Sequence, residues 1–374
     1  ETGDVDGVAY YIEKQDSSLI FQYIVELGHN SDALDYVSSS SFIVEEGVIE
    51  DLARNDVDLS LPDPGLGSIS TENTFIIDTR SPEVLSVNAI TEDDLFGVGD
   101  TVHFSIMFDE MVTVTGVPQV VLETGDVDGV AYYIEKQDSS LIFQYIVDLG
   151  HNSDALDYVS SSSLYIDDGS IEDFVHNSSN LILPQPNSNN SLVSNHQIII
   201  DTEPPSGGNV FDGAYIDQYW TNQDSSLSFF WNGFTDNISG VQRYEASIGL
   251  SQNQNNIFDW LDVLDGASYT VYNLNLQNQV IYYVNIRAVD YAGNISDVIT
   301  SDGIRVDIDK PFFSYFYENE MDFDIEYIAN YDSITIYWST LDTTSGINQL
   351  QVSLDSDSTV SDSTEWLIVD NLNY

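Results

Sequence analysis

Residues Glu1–Ser41 return almost letter for letter as Glu123–Ser163, with Glu26 replaced by Asp148 as the single change. The offset is 122 residues. A repeat of that length is a whole domain rather than a solenoid unit, so the chain reads as a string of modules. Its 374 residues leave room for several domains, each with its own core.

Within the repeat, Leu141, Phe143, Tyr145 and Val147 alternate with other residues, the two-residue period of a half-buried strand. Gly129–Glu135 reads as its partner, and the polar KQDSS between them as a hairpin turn. Upstream, TVHFSIMF sets Val102, Phe104, Ile106 and Phe108 on one face, and SLYI, NLIL and QIII read as further short strands. Asp, Gly, Asn and Pro clusters separate them, and no segment has the period of a long helix. The predicted fold class is all-β, a tandem array of antiparallel β-sandwiches.

Three segments share one punctuation: IIDTRSP at Ile76–Pro82, IIDTEPP at Ile199–Pro205 and VDIDKP at Val306–Pro311. An aspartate can cap the turn while the proline stops strand pairing, so each marks a joint. The expected modules are 1–78, 79–201, 202–309 and 310–374. The first lacks a counterpart of residues 79–122, and the last lacks the strands that answer to about 267–307. We expect both ends to lie mid-domain, either cut short or completed by strands of another chain. In the third module Asp236 and Gly240 build a turn; Asp342 and Gly346 answer to them in the fourth, and Trp338 and Trp366 answer to Trp231 and Trp260.

Charge narrows the partners. There are 63 acidic against 8 basic residues, a net charge of −55, spread over all four modules. Each exposed carboxylate pair at ~10 Å costs only about 0.4 kcal/mol in water, but the sum favours a saline or calcium-containing medium. Nucleic acid and anionic membranes need basic patches that this chain lacks, so neither is an expected partner. The absence of cysteine removes disulfides and thiolate metal sites, and no apolar run reaches the ~20 residues of a membrane span.

The run FDEMVTVTGVPQVVLETGDVDGVAYY, followed by SLIFQYIVDLGHNSDALDY, GSIEDFVHN, NLILP and IIIDTEPP, resembles a bacterial Ig-like repeat of very long secreted surface proteins and adhesins. The resemblance covers 1–201. Residues 202–309 resemble a fibronectin type III module, through YYVNIRAVDYAGNIS and Leu276 six residues before Tyr282, and 310–374 resemble the first half of another. The resemblance implies an extracellular, bacterial, multi-domain stalk or adhesin whose modules are often calcium-stabilised. The chain departs from the commoner repeat at His29 and His151, and at Arg54-Asn55 and His176-Asn177.

No nucleophile motif accompanies the five histidines, and a catalytic carboxylate pair would have to arise inside a duplicated unit, so we expect no enzyme. Calcium suits the loop carboxylates better, as a hard cation that takes oxygen ligands. The candidate ligands are Asp126 and Asp128 with their twins Asp4 and Asp6, and Asp154 and Asp157 with Asp32 and Asp35. To these we add the joint residues Asp78, Asp201, Asp307 and Asp309. Asp290, like Asp51 and Asp173, stands four residues before an asparagine and completes the set. The competing reading makes DALDY a tyrosine corner and each Asp-x-x-x-Asn a capped turn. The five tryptophans suit either a sugar-stacking platform or the cores. The expected role is a stalk or fibre body at the bacterial cell surface. Its partners would be neighbouring domains, other copies of itself, or surface glycans or proteins.

Overall fold

The computed structural model describes residues 2–3, 6–264, 266–318, 336–352 and 367–368. The chain divides into two compact units, Glu1–Thr202 and Glu203–Tyr374.

In the first unit, the described residues of the early copy form the hairpin β1 (Ala9–Gln15) and β2 (Ser18–Tyr23), one helical turn at Ile69–Glu72 and the isolated bridges Ser31–Ile77 and Glu50–Asp56. The later copy forms a complete sandwich. Its strands are β3 (Val84–Ala89), β4 (Asp94–Phe96), β5 (Thr101–Phe108), β6 (Thr113–Thr115), β7 (Gln119–Leu122), β8 (Gly129–Gln137) and β9 (Ser140–Ile146). They continue as β10 (Leu164–Tyr165), β11 (Ser170–Glu172) and β12 (Ile198–Ile200). Six strands make one sheet in the order β10-β7-β8-β9-β5-β3, and β11-β6 and β12-β4 pair separately.

The period-two reading of TVHFSIMF holds, since Val102, Phe104, Ile106 and Phe108 are all buried in one core with Leu141, Phe143 and Tyr145. NLIL departs from expectation. Asn180 bridges Glu83, and the Leu183 N–H donates to Ser161 O at 2.8 Å, but the segment forms no continuous strand, and Pro184 has no N–H to carry a ladder past it. Leu183 is buried all the same. The sandwich is also not wholly antiparallel, since β12 runs parallel to β4.

Identical sequence does not give identical surroundings. The hairpins β1–β2 and β8–β9 share one register, Tyr11 opposite Phe21 and Tyr133 opposite Phe143, each followed by a bulge. In the later copy β5 and β7 flank the hairpin; in the earlier one, among the described residues, β1 and β2 pair only with each other. Phe143 is therefore fully buried and Phe21 is 42% exposed.

The second unit has a three-stranded sheet of β13 (Ser206–Asp212), β15 (Ser226–Thr235) and β18 (Ser268–Tyr272). The facing sheet runs β14 (Trp220–Thr221), β21 (Ile304–Val306), β19 (Ile281–Asp290), β16 (Val241–Gly249) and β17 (Phe258–Leu264), with β20 (Ile299–Thr300) also on β19. Two sheets with this strand order make a fibronectin type III-like sandwich. The Leu276–Tyr282 spacing noted in the sequence builds a tyrosine corner: the Gln277 N–H donates to Tyr282 Oη at 2.7 Å. Trp231, Phe229, Ile248, Val284 and Ile286 fill the core. Beyond Asp307 the hairpins β22 (Phe312–Glu318) with β23 (Ile336–Leu341) and β24 (Gln351–Val352) with β25 (Leu367–Ile368) are described.

Candidate metal centre

The joint motif owes its form to a clamp that occurs twice. The Thr79 N–H donates to Asn30 Oδ1 at 2.9 Å while the Gly28 N–H donates to Thr79 Oγ1 at 2.9 Å. Thr202 repeats both bonds with Asn152 and Gly150 at the same distances. Each IIDT segment is thus pinned to the loop that follows the hairpin. The histidine of that loop is structural: His151 stacks on Tyr145, and its Nδ1 meets the Tyr145 hydroxyl at 2.8 Å, as His29 meets Tyr23 at 2.6 Å.

The sequence candidates fall into separate places. Asp4 lies outside the described residues; Asp6, Asp126 and Asp128 are exposed in the GDVDG loops. Those loops are closed by a threonine rather than a carboxylate, with Thr124 Oγ1 donating to Val127 O and accepting from the Gly129 N–H, both at 2.7 Å. Glycine is required at 129 because a Cβ there would stand 2.7 Å from the Tyr145 ring.

Asp32 and Asp154 are exposed, whereas Asp157 is buried. Asp157 Oδ1 accepts from the Tyr158 N–H at 2.9 Å and Oδ2 from the Asn187 N–H at 2.8 Å. Asp35 accepts from Tyr36, Gly65, Ser68 and Ser70. Burial opposes its charge, but the hydrogen bonds from Ser68, Ser70, Gly65 and Tyr36 outweigh that and bring the carboxyl down to about 2. DALDY does not form the tyrosine corner of the competing reading. Tyr158 Oη donates to Pro184 O at 2.6 Å, 26 residues downstream, and Tyr36 does the same to Pro62 O.

Each Asp-x-x-x-Asn segment is a capped turn. Asp51, Asp173 and Asp290 each accept from the N–H of the asparagine four residues on, at 2.9, 2.9 and 2.8 Å, and from its side-chain amide. The turns built on Asp236 and Asp342 match as the sequence suggested: each Oδ1 accepts from three successive N–H groups ending at Gly240 and Gly346. Asp201 is fully buried. Asp307 accepts from the N–H groups of Asp309 and Ser345, both at 3.1 Å, and Asp309 Oδ2 accepts from Asn278 at 2.8 Å.

Among the described residues of the first unit, one place gathers sequence candidates toward a cation. Asp78, Glu110 and Asp173 each offer a carboxylate oxygen, all within 4.8 Å of one another. Asn177 ties the joint to the turn, its Nδ2 donating to Asp173 Oδ2 at 2.7 Å and to Asp78 O at 3.1 Å. Burial, and then the charges of Asp78, Asp173 and Asp109, push the Glu110 carboxyl up, against the opposing pull of Arg80. Three hard oxygens without nitrogen or sulfur suit calcium or magnesium and not zinc. Sequence reading missed Glu110 because nothing local in FDEM distinguishes it; the joint of the preceding copy is folded against it. Asp173→Ala removes two main-chain acceptor contacts from a buried turn, so we expect a loss of about 1–3 kcal/mol in denaturant unfolding, and a smaller one for the exposed twin Asp51→Ala. Equal losses would contradict the assignment.

Among the described tryptophans, one is in the core and two meet arginines. Trp231 is buried, the Arg287 guanidinium lies 4.3 Å from the Trp260 ring centre, and that of Arg305 lies 5.4 Å from Trp220. Trp366 lies outside the described residues.

No protein-family model matches the chain, and no curated protein matches it either. Among solved structures it is similar to a stretch of titin domains (14% identity, 60% of this chain and 68% of that one, TM-score 0.30). It is similar to fibronectin(III)-like modules of Clostridium thermocellum CbhA (11%, 59% and 94%, TM-score 0.23). A third similarity is to an Escherichia coli adhesin (9%, 74% and 80%, TM-score 0.30). The strand order and cores described above carry the fold assignment.

Proposed function

We propose that this chain is a structural and adhesive segment of a long bacterial surface protein, acting outside the cell as a stalk or fibre body. One observation carries the reading: a sandwich-length repeat returns with the same hairpin register and the same threonine clamp at its exit. Selection that keeps a joint as well as a core suits modules joined in series rather than one module that binds alone. The charge of −55 keeps such a series soluble, and calcium in the medium would relieve its self-repulsion, with the Asp78, Glu110 and Asp173 oxygens as one place to hold an ion. Antibodies raised against residues 79–201 should label intact cells of the source organism. Labelling that needs permeabilised cells would overturn the reading.

A filament completed by strand exchange is the second reading, favoured by one feature. Tyr10, Tyr11, Ile12 and Phe21 of the early hairpin are all more than two-fifths exposed, on strands that pair with no further strand among the described residues. Such an edge is a template for another strand. Sedimentation of the purified chain across a hundred-fold concentration range decides it, since a constant monomer excludes self-assembly.

A further inference from the structure

In the second unit the chain leaves one sheet at Asp212, the last residue of β13, and enters the facing sheet at β14, which runs parallel to β21. The crossover turns at Gly213, where φ is +96° and a Cβ would stand 2.5 Å from Ile216 O. Asp217 lies within it, and Asp302 stands two residues before β21. Asp212, Asp217 and Asp302 each offer one carboxylate oxygen, and the three lie within 4.8 Å of one another.

The Asp212 side chain sets this group apart from the other acidic loops. It is fully buried, and its Oδ2 accepts from the Gly303 N–H at 3.0 Å. Its Oδ1 is buried with no hydrogen-bond partner, and among the described residues no other carboxylate oxygen is so placed. Asp217 Oδ1 accepts from the Asp212 N–H at 3.1 Å, which brings the second carboxylate to the same spot. A buried carboxylate oxygen without a donor is costly, and two further negative charges beside it raise that cost. Either a proton or a cation must offset it.

We propose that Asp212, Asp217 and Asp302 bind a calcium ion that ties the sheet-to-sheet crossover to the start of β21. Oxygens sharing one calcium at ~2.3–2.6 Å stand at most about 5 Å apart, which this group meets, and the ion accepts the main-chain oxygens and water that would complete its shell. The crossover needs such a tie. Tyr215, Ile216 and Tyr219 are each at least two-thirds exposed and give the loop little packing of its own. Burial pushes the Asp212 carboxyl up to about 7, the nearby Ser301 hydroxyl and the Gly303 N–H oppose that, and the charges of Asp302 and Asp217 add to it. A proton is thus the rival occupant. The site uses none of the joint carboxylates, so it stands or falls separately from the function proposed above.

The test is calcium binding to the full chain, counted by native mass spectrometry and titrated by calorimetry. Asp302→Asn changes an exposed side chain and leaves the core intact, and it should lose one ion relative to wild type, as should Asp217→Asn. At sub-millimolar calcium, wild type should gain several degrees in melting temperature over chelator, and both variants should lose at least half of that gain. Circular dichroism at 20 °C checks that the variants are folded. An ion count equal in wild type and both variants overturns the proposal. So does the same loss in Asp224→Asn, an exposed carboxylate outside the group, because diffuse binding to a polyanion would then account for the ion.

Discussion

Phe143→Ala should cost about 3–5 kcal/mol of stability, whereas Phe21→Ala, the same change in the same local sequence, should cost about 1 kcal/mol or less. Phe143 is fully buried; its ring stacks on Phe104 at 5.5 Å and meets Tyr133 edge-on at 6.2 Å. Truncation there removes the transfer energy of the ring and leaves a cavity in a packed core. Phe21 meets the rings of Tyr11 at 6.0 Å and Phe42 at 5.6 Å and is 42% exposed to solvent. Water already occupies what would become its cavity. Denaturant unfolding followed by circular dichroism measures both, and similar losses would mean that the early hairpin is covered in solution by something equivalent to β5.

Trp231→Ala should also cost about 3–5 kcal/mol, and Trp231→Phe clearly less, about 1–2 kcal/mol. The indole is 2% exposed, lies 6.0 Å from Phe229 and meets Tyr244 edge-on at 5.4 Å. Its Nε1 is buried without a hydrogen-bond partner, so the native residue carries a desolvation cost that phenylalanine does not. That relief offsets part of the lost ring volume in the phenylalanine variant. Equal losses for alanine and phenylalanine would show that the N–H has a partner in solution. A loss below about 1 kcal/mol for alanine would remove Trp231 from the core.

Features confined to one segment were legible early. The alternation of Val102, Phe104, Ile106 and Phe108, the Leu276–Tyr282 corner, and the matched turns at Asp236 and Asp342 depend on residues close in sequence, where pleat and turn geometry act directly. Pairing partners were less so. A two-residue period names the buried face of a strand but not its neighbour, which is why the parallel pairs β12–β4 and β14–β21 and the isolated Asn180 bridge had no local signal. Tyr158 is a case between the two: it stands in the DALDY run that the sequence singled out, but its acceptor, Pro184 O, lies in a segment that only the fold brings near.

The candidate sites divide along the same line. Sequence could say that carboxylates crowd the loops and joints, and that asparagines four residues on would cap three of them. It could not say which carboxylates converge. Glu110 is 32 residues from Asp78 and 63 from Asp173, and Asp212 is 90 residues from Asp302, so no spacing rule reaches them. From composition and repeat alone came the all-β class, the excess of acid and the duplicated joint, because each reflects local period or simple counting. The tertiary structure alone decided which of two identical hairpins has a core and which oxygens lose their water, because burial depends on what the distant chain lays over them.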